Sequence, residues 1–136
     1  MIRPIMKDVL FLSQKSEPAT RADLQVGTDL RDTLAANRDR CVGMAANMIG
    51  IKKRVIIVNI GMADVVMFDP VILGKDGPYE AEEGCLSLAG TRKTTRYESI
   101  RVEFYDMQWK KQQLKLSGWP AQICQHEMDH LEGILI

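Results

Sequence analysis

The chain has 136 residues, of which 46% are hydrophobic and 26% are charged, as in an ordinary soluble globular protein. Eighteen Lys and Arg residues balance eighteen Asp and Glu residues, which argues against a large non-specific role on nucleic acid or on a membrane surface. No apolar run approaches the ~20 residues that span a bilayer. The length predicts a single domain over residues 1–136. Three cysteines, a low and odd number, indicate a reducing compartment, so we expect a cytoplasmic protein.

The first forty residues predict two helices. A short one is expected near residues 8–13, and a clearer one runs from about Arg21 to Ala36. Thr20 and Asp23 resemble a capping box at the start of the second helix. Apolar residues recur every four positions along it, at Val26, Leu30 and Leu34. This spacing predicts that one face of the helix packs inward.

The middle of the chain predicts an extended structure made of several strands. It begins with the small residues of 41–50, which allow a close backbone approach. Asp69-Pro70 indicates a turn or bulge, and residues 75–78 (KDGP) indicate a turn. Strands or extended segments are expected at 54–60, 65–68, 79–88, 92–97, 100–105 and 113–116.

A last helix is predicted from Pro120 to about Leu131, because proline suits the first turn and Gly133 suits the C-terminal end. The order of helix, many strands and helix predicts an α+β fold with a mostly antiparallel sheet. We expect short strands packed around this C-terminal helix, with the earlier helix on the N-terminal side.

The strongest functional motif is His126-Glu-Met-Asp-His130 on that last helix. Residues four apart share one helix face, so the two imidazoles can hold one cation, while Glu127 is rotated enough to reach a water beside it. The alternative is a helix that carries two histidines by chance. These are the only histidines in the chain, and burying them without a ligand would cost several kcal/mol, on the order of the desolvation of polar groups. The motif therefore predicts a metal site on an inward face.

A catalytic metal site needs a third protein ligand, and Cys85 is the candidate. Gly84 precedes it and lets the backbone approach closely. The alternative is a buried structural cysteine, which is the commoner fate of a single cysteine. Cys41 and Cys124 compete for the role, although Cys124 should point away from His126 on the helix.

Three segments, in this order, resemble the three motifs of the peptide deformylase family. Residues 41–48 (CVGMAANM) are similar to the first motif, G-x-G-x-A-A-x-Q. Glu83–Ser87 matches the second motif, E-G-C-L-S, in full, and Gln125–His130 matches the third, Q-H-E-x-D-H, in full. With the surrounding strands, the resemblance covers nearly the whole chain.

The resemblance implies one divalent metal ion, ferrous iron in the cell, on Cys85, His126 and His130. Thiolate ligation also allows zinc, nickel or cobalt. It implies that Glu127 takes a proton from a water in the fourth position, whose oxygen then attacks the formyl carbon of a formyl-methionyl nascent peptide. Glu127 then passes the proton to the leaving amine, and the backbone N–H of Leu86 points at the oxyanion.

Two residues depart from the first motif. Cys41 replaces its first glycine and Met48 replaces its glutamine, whose amide helps to hold the oxyanion in the family. A thioether cannot donate a hydrogen bond, and losing one oxyanion donor typically costs about 10²–10³ in kcat. Asn47 has an amide, and whether it turns in as a substitute is left open.

The same resemblance predicts a pocket for the methionine side chain, lined by Val42, Gly43, Met48, Gln122 and Ile123, with Trp119 nearby. Gln122 is polar where an apolar wall is expected. Arg92 matches a family arginine near the peptide backbone, the alternative being a solvated surface arginine. The chain stops six residues after His130, so we do not expect the ribosome contact that C-terminal extensions provide in some relatives.

The function predicted is removal of the formyl group from nascent chains, and three alternatives remain. One is a deformylase-like paralogue with weak or altered activity, which Met48 favours. Another is an unrelated HExxH peptidase, in which the third ligand usually follows the helix, where Glu132 is the one acid available. The last is a binding module without metal.

Overall fold

The structure is a computed structural model that describes residues 1–85 and 88–135. Two helices precede the sheet, as predicted. The first, α1, spans Val9–Leu12, and the second, α2, spans Leu24–Ala36 after a 3-10 turn at Arg21–Asp23. The predicted capping box is present at the start of that turn, where the Asp23 carboxylate accepts the backbone N–H of Thr20 at 2.8 Å.

Among the described residues, five strands form one antiparallel sheet in the order β1-β2-β3-β4-β5. The α+β class with an antiparallel sheet is therefore confirmed. The strands are β1 Gly43–Ala45, β2 Val55–Asn59, β3 Asp64–Cys85, β4 Leu88–Tyr105 and β5 Lys111–Ser117. A 3-10 helix, Ala46–Ile49, follows β1.

The prediction of short strands is wrong for β3 and β4, which have 22 and 18 residues. The predicted bulge at Asp69-Pro70 is confirmed by a register shift between Phe68 and Val71. The predicted turn at residues 75–78 is wrong, because this segment stays paired to β4, with Pro78 opposite Tyr97. Beyond Phe68, β3 no longer pairs with β2, so one edge of β3 is unpaired there. Proline, which has no N–H to donate, is tolerated on such an edge.

The C-terminal helix α3 spans Trp119–Leu131 and packs against β1, β2 and β4. Pro120 lies in its first turn, and Gly133, with φ 77°, follows its end, as predicted. The Gln125 side chain joins the helix to β4, because it accepts the N–H of Tyr97 and donates to the C=O of Tyr97, both at 2.8 Å. These bonds fix the rotation of α3 relative to the sheet.

Close packing brings β1 against α3 at Gly43. A Cβ atom on Gly43 would lie 2.6 Å from Cγ2 of Ile123 and 3.2 Å from Oε2 of Glu127. Only glycine allows this approach, as expected from the small residues of the segment. Within residues 1–85 and 88–135, no helix combines the length and apolar character needed to cross a membrane.

Candidate metal centre

Three side chains converge between the end of β3 and the middle of α3. The ligand atoms of Cys85, His126 and His130 all lie within 4.8 Å of one another. Nε2 of His126 is 3.1 Å from Nε2 of His130, as expected for residues one helical turn apart. One sulfur and two imidazole nitrogens suit zinc or ferrous iron better than magnesium. The residues present therefore fit the divalent metal that the sequence predicts.

Glu83 orients the first of these histidines. Its Oε1 lies 2.8 Å from Nδ1 of His126, so that nitrogen carries a proton and Nε2 is left to bind a cation. Arg96 holds the carboxylate, with Nη2 donating to Oε1 at 2.7 Å and Nε donating to Oε2 at 3.0 Å. Arg96 also donates to Asp129 at 2.6 Å. Asp129, the second acid of the HExxH segment, therefore has a structural role.

The charges of these groups depend on their buried hydrogen bonds. Burial alone would raise the pKa of the Glu83 carboxyl, but hydrogen bonds from His126 and Arg96 outweigh it and lower the pKa to about 2. Burial lowers the pKa of His126, yet hydrogen bonds with Cys85 and Glu83 raise it to about 10. Burial, aided by the charge of His126, lowers the pKa of His130 to about 3. His130 is thus neutral, the form in which imidazole binds a metal.

Glu127 lies beside this cluster with a free oxygen. Its side chain is buried, and Oε1 has no hydrogen-bond partner in the described structure. Burial raises the pKa of its carboxyl to about 7, against the opposing effect of the positive charge of His126. A carboxylate that titrates near neutral pH and has no fixed partner can accept a proton and return it.

A cavity of about 280 Å³ opens next to Glu127 and the ligand cluster. Five of the six residues predicted to bind substrate line this cavity: Val42, Gly43, Met48, Gln122 and Ile123. Trp119 lines it as well. Arg92 does not line it and is exposed on β4, so its contact with peptide stays a prediction. Leu86, the predicted oxyanion donor, lies outside the described residues.

The position of the family glutamine holds a buried thioether. Met48 is 1% exposed, and its sulfur accepts the N–H of Ala45 at 3.4 Å. Asn47 does not take over as a donor, because its Nδ2 donates to the C=O of His130 at 2.8 Å and its side chain does not line the cavity. These residues form a 3-10 helix rather than a strand, so neighbouring side chains diverge by about a third of a turn.

The remaining cysteines do not join the cluster. Cys41 lines the cavity, and its thiol donates to the C=O of Gly43 at 2.8 Å. Cys124 is fully buried in the core. Glu83 and Arg96 were not predicted as functional residues, although Glu83 stands inside the second motif. The sequence feature that could have indicated this role is the acid Glu83 next to Gly84. Its partner, Arg96, can be identified only when the register of β3 and β4 is known.

The family model for polypeptide deformylase matches residues 2–136. The chain is 57% identical over 136 residues to a peptide deformylase of Clostridium beijerinckii, with 100% of both chains covered. A Met-Ala-Ser-bound class I type b peptide deformylase from Acinetobacter baumannii has a TM-score of 0.88 and 32% identity, covering 99% of this chain and 97% of that chain.

A peptide deformylase from Legionella pneumophila has a TM-score of 0.89 and 32% identity, covering 99% of this chain and 83% of that chain. The resemblance read from the three motifs is therefore confirmed. Sequence, fold and the match to the family model agree over almost the full length. The chain belongs to the polypeptide deformylase family of metal-dependent hydrolases.

Proposed function

We propose that residues 1–136 act as one catalytic domain that removes the formyl group from the N-terminal formyl-methionine of nascent polypeptides in the cytoplasm. The convergence of Cys85, His126 and His130 on one point, with the Glu127 carboxylate in the adjoining cavity, carries this proposal. A divalent cation on these three ligands would supply Lewis-acid chemistry, lowering the pKa of water and stabilising the oxyanion.

In the proposed reaction, Glu127 moves the proton. Its carboxylate accepts a proton from the attacking water and later donates it to the leaving amine. Burial suits Glu127 to both steps, because a pKa near 7 places the carboxyl between its two protonation states at neutral pH. The carboxylate lines the same cavity as Gly43, and its Oε2 would lie 3.2 Å from a Cβ atom at that glycine.

The cation we propose for the cell is ferrous iron, with zinc, nickel and cobalt as possible substitutes. The Cys85 thiolate adds negative charge and polarisability to the donor set, which suits these transition metals. His126 and His130 add two neutral donors once His126 gives up its Nε2 proton. Metal binding should therefore release a proton, as is general for imidazole and thiol ligands.

The proposed substrate enters through the cavity beside Glu127. Gly43, Met48 and Ile123 give it apolar surfaces that suit a methionine side chain, and the exposed Trp119 stands at its side. The Acinetobacter baumannii deformylase, which binds Met-Ala-Ser, has the same fold and supports a peptide ligand here. We propose the backbone N–H of Leu86 as the oxyanion donor.

A paralogue with weak activity is the second candidate function, and Met48 is the observation that favours it. The buried thioether offers no proton to an oxyanion, and the Asn47 amide is bound to the helix. Such a protein would bind metal and formyl-peptide but would turn over slowly.

Anaerobically purified protein should contain about one iron per chain, and with formyl-Met-Ala it should release formate. Cys85→Ala should lose both the metal and the activity, because one of three ligands is removed. Cys124→Ala is the matched control, since that cysteine is buried away from the cluster. Metal retained by Cys85→Ala would refute the ligand set. Metal bound without formate release would favour the second candidate function.

A further inference from the structure

Gln122 is the polar residue in the cavity wall that the family resemblance did not lead us to expect. The structure places both ends of its amide against protein rather than towards the cavity. Its Oε1 accepts the hydroxyl of Tyr79 at 3.0 Å, and its Nε2 donates to Oε2 of Glu83 at 2.9 Å. One N–H of the amide and its oxygen are thereby committed to protein partners.

These bonds complete the surroundings of Glu83. Its Oε1 faces Nδ1 of His126 and Nη2 of Arg96, while its Oε2 accepts from Nε of Arg96 and from Nε2 of Gln122. A carboxylate held on both oxygens has little freedom to rotate away from the histidine. Arg96 holds it from β4, and Gln122 holds it from α3.

The position of Gln122 on the helix links the cavity to the metal ligand. Gln122 precedes His126 by four residues, so both side chains lie on one face of α3 and reach the same carboxylate. Gln122 also lines the cavity in which the substrate is proposed to lie. Tyr79, on β3, fixes the far end of the amide and so decides which end points at Glu83.

We infer that Gln122, oriented by Tyr79, is a positioning residue that holds Glu83 against His126 and thereby keeps His126 Nε2 directed at the cation. The inference rests on the proposed ligand set of Cys85, His126 and His130. It assigns the polar residue in the cavity wall to metal affinity rather than to oxyanion binding or substrate choice. Removing such a partner of a ligating histidine typically weakens metal binding by about 10–100-fold.

The test compares Gln122→Met with Gln113→Met by measuring the zinc dissociation constant in competition with a chelator. Methionine keeps the length of the side chain and removes both hydrogen bonds. Gln113 is a matched control, because its Nε2 donates to a carboxylate oxygen of Glu103 at 3.0 Å on the exposed face of the sheet. Gln122→Met should bind zinc about tenfold more weakly, since Arg96 still holds Glu83. Gln113→Met should bind it as the unmodified chain does.

Tyr79→Phe provides a second variant in case Gln122→Met does not fold. It removes only the hydroxyl that orients the amide, and we expect zinc binding to weaken about two- to threefold, a fraction of the typical loss for such partners. With cobalt bound, both variants should alter the visible absorption bands of the metal. That signature reports on ligand geometry, and a purely structural role would leave it unchanged.

Unchanged zinc affinity and cobalt spectra in both variants, with a change only in KM for formyl-Met-Ala, would overturn the inference and leave Gln122 as cavity wall. That result would leave the metal centre intact, since the unmodified chain would still bind zinc. Failure of the unmodified chain to bind zinc would instead overturn the ligand set, and the inference with it. The two failures are therefore distinguishable.

Discussion

The two walls of the cavity are built in opposite ways. The ligand-side wall, formed by Glu83, Gln122 and His126 with Arg96 behind them, is a continuous set of hydrogen bonds. A second part of the lining, formed by Gly43 and Met48, is held by packing, and neither of these two residues has a side-chain donor. The difference teaches that this protein secures the orientation of its metal ligands separately from stabilisation of the developing negative charge. Metal affinity and turnover should therefore respond to different substitutions.

The largest expected effect comes from Glu127→Ala, which removes the proposed general base from the cavity. We expect kcat for formyl-Met-Ala to fall by about 10²–10⁴, the usual contribution of a general base, with metal content unchanged. Glu132→Ala is the control, because that acid lies just after α3 and pairs with Arg54 at 2.9 Å. Turnover that survives in Glu127→Ala would show that another group moves the proton.

Met48→Gln should change turnover without changing the orientation of the metal ligands. Restoring an amide where the family has one should raise kcat by up to about 10²–10³, the typical value of one oxyanion donor, without changing the metal dissociation constant. Parallel kinetics on both proteins would check this expectation. An unchanged kcat would mean that a different donor already serves the oxyanion.

Glu83→Gln should break the ligand-side wall. The neutral amide pairs less well with Arg96 and His126, and we expect metal affinity to fall by about 10–100-fold, as is typical for partners of ligating histidines. Glu82→Gln is the matched control on the same strand, since Glu82 is exposed and accepts a hydrogen bond from Thr91 at 2.8 Å. Equal metal dissociation constants for the two variants would contradict the role given to Glu83.

The smallest expected effect is the pH dependence of the unmodified enzyme. Burial raises the pKa of Glu127 to about 7, and a cation beside it pulls the pKa downward. The base works only when deprotonated, so kcat/KM should be level above the pKa and fall about tenfold per pH unit below it. The midpoint should lie at or below about pH 7 and should vanish in Glu127→Ala. A midpoint unchanged in that variant would assign the titration to another group.

Local sequence spacing was enough to predict the parts of the site that lie within one element. The positions of His126, Glu127 and His130 follow from the geometry of a helix, and the close approach at Gly43 follows from the lack of a side chain. The pairing of Glu83 with Arg96 could not be predicted, because it depends on the register of two long strands and on the rotation of α3.

The orientation of Asn47 escaped prediction for a similar reason. The sequence predicts an extended segment here, but the chain turns into a 3-10 helix after β1, and this directs the amide to the C=O of His130. The length of β3 was missed because Gly and Pro at residues 75–78 indicate a turn in isolation. In the fold they lie along a free edge, where a missing N–H costs nothing.

That free edge of β3 has a consequence for the behaviour of the protein in solution. An unpaired strand edge is a template on which a second molecule can add a strand and begin to aggregate. Pro78 interrupts its row of donors, and the exposed carboxylates of Asp76, Glu80 and Glu82 repel a like-charged copy of the same edge. Residues 75–78, which resemble a turn in the sequence, thus help to prevent edge-to-edge association of two molecules.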